Sequence, residues 1–145
     1  MTTEEALNHH FVSTGIYPAG CSREDWYAGH WLWLRAGPVG IPFPILRRGG
    51  PIVLHDLHHM LAGYAPDWRG EIELAAWELG SGGCGSHILY WFDRLTFFVA
   101  GLLCAPRATR RAFARGRRSH NLFRMDPEQV LHMDVDRVRA AVGII

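Results

Sequence analysis

Between Pro51 and Val142 the chain is punctuated, at helix-length intervals, by residues that start or stop helices. Pro51 suits the first position of a helix running through Ile52, Leu54, Leu57 and Leu61 and stopping near Gly63. Asp67 opens a second, through Ile72, Leu74, Ala75, Ala76 and Leu79 to Gly80. Ser81 to Ser86 reads as a flexible turn that caps the next helix. Pro106 starts an Arg-rich helix, Asp126 caps another with Pro127 behind it, and Asp134 caps a last one carrying Val135, Val138 and Val142. No stretch alternates apolar and polar residues for more than a few positions, and no repeat is present. The expectation is an all-α fold of six or seven helices in a single domain, residues 1–145. With 48% hydrophobic residues, 145 positions suffice for one core.

Residues 1–50 read differently from 51–145. Ser22 followed by Glu24 and Asp25 predicts a helix from Trp26 to Leu34, apolar nearly all round and therefore buried. Its Trp26, Trp31 and Trp33 are core residues or walls of a compact pocket. From Gly37 to Pro51 the prolines Pro38, Pro42 and Pro44 predict a loop, with no interior for a helix or a central strand. His87 to Cys104 is an apolar run of near-membrane length, but Asp93 and Arg94 interrupt it, so a buried core helix is expected. The acidic start, Glu4 and Glu5, has no basic segment and no apolar core of a secretory signal, which points to the cytoplasm. Three cysteines without a C-x-x-C pair make no disulfide framework.

Charge is polarised beneath a net of +1: residues 1–93 hold 5 Arg and 10 acids, residues 94–125 hold 8 Arg and no acid. The basic segment is suited to anionic lipid headgroups at a membrane periphery. Aromatic residues for base stacking are sparse there, so nucleic acid is not an expected partner.

The densest chemistry is His55-Asp56-Leu57-His58-His59. On a helix, His55, Asp56 and His59 share an arc of roughly 100°, so three donors converge on one ion. His58 points off that arc, toward a supporting or solvent-facing position. Gly63 and Pro66 let the chain turn back and bring Glu71 opposite the histidines as a fourth ligand. Imidazole and carboxylate donors suit a divalent metal, zinc first, with iron or manganese as alternatives. Asp56 and Glu71 are candidate catalytic carboxylates that can yield their place to substrate. Glu78, seven residues after Glu71 on the same face, is a candidate proton carrier. An arginine of the group Arg107, Arg110, Arg111, Arg115, Arg117 and Arg118 could meet a substrate carboxylate.

His55-Asp56-x-x-His59, eleven residues, then Glu71 after Gly70 resembles the signature of the coenzyme Q biosynthesis protein 4 family. Gly63-Tyr64, Arg115-Gly116-Arg117-Arg118, Asn121-Leu122-Phe123 and the segment Val138 to Ile144 extend the resemblance over residues 51–145. It implies a helical fold, a divalent metal on His55, Asp56, His59 and Glu71, and a lyase or oxidative decarboxylase acting at carbon 1 of the ubiquinone head-group precursor. A short member could act on a smaller aromatic or quinone-like molecule in specialised metabolism. The resemblance also implies peripheral membrane contact, and a homodimer is a further expectation. Two other readings compete. One is a non-catalytic, metal-stabilised scaffold that binds lipids or quinone intermediates; the other is a hydrolase like the His-Glu-x-x-His enzymes, with Asp56 as base.

Overall fold

A computed structural model describes residues 1–14 and 51–144 in full and, of residues 31–36, 39–44 and 50, the backbone. The fold is all-α, with seven helices among the described residues: α1 (Thr3–Thr14), α2 (Gly50–Ala62), α3 (Trp68–Gly80), α4 (Ile88–Cys104), α5 (Pro106–Gly116), α6 (Pro127–His132) and α7 (Val135–Val142). The expected starts of α3, α6 and α7 hold because their caps form. Asp67 accepts from the Gly70 amide at 2.7 Å, Asp126 from Gln129 at 3.1 Å, and Asp134 from Asp136 at 3.0 Å. The turn before α4 supplies no such cap, since His87 at its N-terminus makes no side-chain bond to the helix.

Two readings of the sequence are corrected. Trp31–Ala36 is a strand, β1, paired antiparallel with β2 (Val39–Pro44), so the predicted helix does not extend to Leu34. The part of that helix before Trp31 lies outside the described residues, as do the side chains of Trp26, Trp31 and Trp33. Leu32 and Leu34 are in register with Phe43 and Ile41 across the hairpin. Pro42 and Pro44, two apart, turn their missing N–H positions to the same edge, which a two-stranded ribbon tolerates and a central strand would not.

The second correction concerns α4. Only Arg94 and Gly101 of this helix are buried, while Ile88, Leu89, Phe92, Leu95, Val99 and Leu103 are exposed. Its inward face is set by close approach, not by bulk. A Cβ on Gly101 would stand 2.3 Å from Ile72 and 2.5 Å from Thr109, so the backbone of α4 lies against α3 and α5 there. No helix of the described residues is long and apolar enough to cross a membrane.

The core lies between α1, α2, α3, α6 and α7. Leu7 and Phe11 meet Leu54, Leu57, Leu74, Trp77, Leu131 and Val138 in one buried cluster. On the other side α3 is gripped by α5. A Cβ on Gly116 would stand 2.3 Å from the Trp77 carbonyl oxygen and one on Gly80 2.5 Å from that of Phe113. Substituting Gly116→Ala should therefore lower stability by about 1–3 kcal/mol, despite the usual helical preference for Ala. Urea unfolding of the variant checks this.

Candidate metal centre

Helix α2 carries His55, His58 and His59, and α3, folded back through the turn at Gly63 to Asp67, carries Glu71 and Glu78. All three imidazoles are buried, which a helix tolerates only where each ring nitrogen has a partner. The partners fix the tautomers. His55 Nδ1–H donates to Glu78 Oε1 at 2.9 Å, His58 Nδ1–H donates to the same oxygen at 2.7 Å, and His59 Nδ1–H donates to the Tyr64 carbonyl at 2.9 Å. A carboxylate and a carbonyl can only accept, so the proton must sit on Nδ1 in each case.

That leaves three Nε2 atoms with different fates. His58 Nε2 accepts the Leu122 amide at 2.9 Å and is spent inside the protein. His59 Nε2 faces Glu71 Oε1 at 2.9 Å, and His55 Nε2 faces Glu71 Oε2 at 3.5 Å. An unprotonated imidazole nitrogen and a carboxylate oxygen are both acceptors, so a positive species belongs between them. The ligand atoms of His55, His59 and Glu71 lie within 4.8 Å of one another. The contacts of 2.9 and 3.5 Å bracket the edge of about 3.3 Å that tetrahedral metal–ligand bonds of about 2.0 Å produce. These three residues could hold a metal ion.

Electrostatics agree with the geometry. Burial opposes charge on His55, but Glu78 and Glu71 outweigh it and push its pKa up to about 10. For Glu71, burial favours the acid, yet the hydrogen bonds and charges of His55 and His59 hold the carboxyl well below its ordinary range. Glu78 is likewise held low, against its burial, by the charge of His55, its bonds to both histidines and Arg94. Burial lowers the pKa of His58, consistent with a neutral strut. With neutral imidazoles, Glu71, Glu78 and Arg94 carry −1 between them. A proton on His55 or a metal cation supplies the missing charge.

The expected residues thus divide. His55, His59 and Glu71 converge. Asp56 is half-buried on the same helix but does not join the converging trio. Glu78 is fully buried beneath the two histidines and accepts from both, so it reaches the trio only through the His55 ring. His58 is fully buried, which removes the solvent-facing alternative.

Arg94 was not among the expected site residues. It lies 3.2 Å from Glu71 Oε2 and 3.5 Å from Glu78 Oε2, pairs with Asp93, and stacks over Phe97. The signal was present: a charge inside an apolar run must find partners if it turns inward. Of the C-terminal arginines, Arg115 instead donates to the Ala62 carbonyl at 2.6 Å and lies over the Tyr64 ring.

No family profile, no curated protein and no solved structure matches this chain.

Proposed function

We propose that the protein is a metal-dependent enzyme whose ion is held by His55, His59 and Glu71. The observation that carries this reading is the pair of Nε2 atoms presented to one carboxylate, with both Nδ1–H groups committed elsewhere. Metal-binding histidines typically show this arrangement, a carboxylate or carbonyl fixing the far nitrogen. Two histidines and one glutamate form a ligand count typical of catalytic zinc, which keeps a coordination position open, whereas structural sites are closed by four. Zinc fits the donors best, with iron and manganese as competitors for the same N and O ligands.

The chemistry supplied by a divalent ion here is Lewis-acid polarisation of a bound oxygen. Around it, Glu78 keeps His55 in the ligating tautomer, Tyr64 does the same for His59, and Arg94 tempers the charge of Glu71. The resemblance over residues 51–145 points the reaction toward removal of a carboxylate, with or without hydroxylation, at carbon 1 of a quinone precursor or a smaller aromatic acid. The substrate's carboxylate or phenol would take the open position. A second reading draws on Asp56 standing outside the trio, the place of the base in a His-Glu-x-x-His hydrolase.

Elemental analysis of the purified chain tests the site. About one divalent ion per chain is expected, with nearly all of it lost in His59→Ala and in Glu71→Ala; equal content in all three proteins refutes the assignment. Loaded protein is then offered substituted hydroxybenzoates and casein. Chelator-sensitive loss of carboxylate supports the lyase, chelator-sensitive peptide cleavage the hydrolase, and neither, with metal bound, removes the enzymatic reading.

A further inference from the structure

The outward face of α4 carries Ile88, Phe92, Leu95, Val99 and Leu102, spaced four, three, four and three residues apart. Leu89, Thr96 and Leu103 lie beside them, and the whole stripe contains no charge. Ile88, Phe92 and Leu103 are 78%, 77% and 80% exposed, and Leu89, Leu95 and Val99 about half. A free Phe side chain exposes on the order of 200 Å² and the aliphatic ones less, so these fractions amount to roughly 600–700 Å² of apolar surface. A typical monomer's largest patch is roughly 300–600 Å², and each partner in a standard-size complex contributes roughly 800 Å².

We propose that this face is covered by α4 of a second copy of the chain, the two helices running antiparallel about a two-fold axis near Leu95 and Thr96. The four-three spacing is the register in which paired helices interlock side chains. A two-fold pairing is self-complementary: Ile88 meets Leu103 of the partner subunit, and Phe92 meets Val99 of the partner subunit. Direction follows from charge. Arg107, Arg110 and Arg111 come directly after α4, are exposed, and have no ion-pair partner among the described residues. A parallel pair would bring the two arginine clusters together. An antiparallel pair separates them by about the length of α4, 17 residues or roughly 25 Å, against a screening length of roughly 8–10 Å.

Sedimentation equilibrium of the full chain across the micromolar range is expected to show dimers. Phe92→Glu and Val99→Glu change exposed side chains and should leave the far-UV circular dichroism intact, while weakening association at least roughly thirtyfold. Oxidation should trap dimers of Thr96→Cys in a Cys104→Ser background. It should not trap the unmodified chain through Cys104, which is exposed at the far end of the helix. A monomer at every concentration overturns the proposal. So does a dimer that ignores both charge substitutions, or a monomer that binds anionic vesicles through Phe92 and Val99. Efficient Cys104 cross-linking with none at Thr96→Cys overturns the antiparallel arrangement.

Discussion

Replacing Glu78 with alanine should cost about 3–5 kcal/mol of stability, because it strips buried partners from three groups at once. The Nδ1–H donors of His55 and His58 lose their shared acceptor, and Arg94 loses one of its carboxylates. Thermal or urea unfolding of Glu78→Ala reads this directly. Where the alanine variant fails to fold, Glu78→Gln carries the test. The amide keeps one acceptor oxygen at nearly the same volume but removes the negative charge beneath the ligands. Metal affinity measured by chelator competition should fall about 10–100-fold, as it does when groups orienting metal-bound histidines are removed. Unchanged affinity in Glu78→Gln would mean that Glu78 supports the fold and not the ligands.

The second large effect is on pH. In the metal-free chain His55 titrates near 10, above the ordinary histidine value of 6.5, so the folded state binds a proton that the unfolded state releases. That stabilisation is fully present below about pH 6.5 and is lost as pH rises through about 10. Glu71 and Glu78 act in the opposite sense. Their folded values are depressed, so their contribution is present above the ordinary carboxylate range and is lost as pH falls below it. These are the same ion pairs seen from either partner, and the plateau between the two limbs should rest on the order of 5 kcal/mol above the alkaline end. Metal must displace the His55 proton, so binding at neutral pH should release about one proton per ion. Calorimetry in buffers of different ionisation enthalpy measures that number; a value of zero would place the metal elsewhere.

Much of the site was legible because its signals are local. Asp67, Asp126 and Asp134 each satisfy amides two or three residues ahead, so capping residues marked helix starts without tertiary information. His55, His59 and Glu71 converge because four residues make about one helical turn and one tight turn reverses the chain. What escaped depends on distant partners. Whether His58 faces water or the core is decided by the Leu122 amide, 64 positions away. The apolar run around Arg94 shows that the charge needs partners, but that they are carboxylates on α3 is decided by residues 16 and 23 positions away. The strand at Trp31 escaped because its apolar run lacks alternation, and its partner was discounted for its prolines.

His58 gives the site a property that His55, His59 and Glu71 could not. With one nitrogen on Glu78 and the other on the Leu122 amide, it joins α2, α3 and the segment after α5 through a single ring. The donors of the site are therefore oriented by the protein's own bonds before any ion arrives. An ion entering there would require little reorganisation of the chain, and would be a replaceable reagent instead of a clasp on which folding depends.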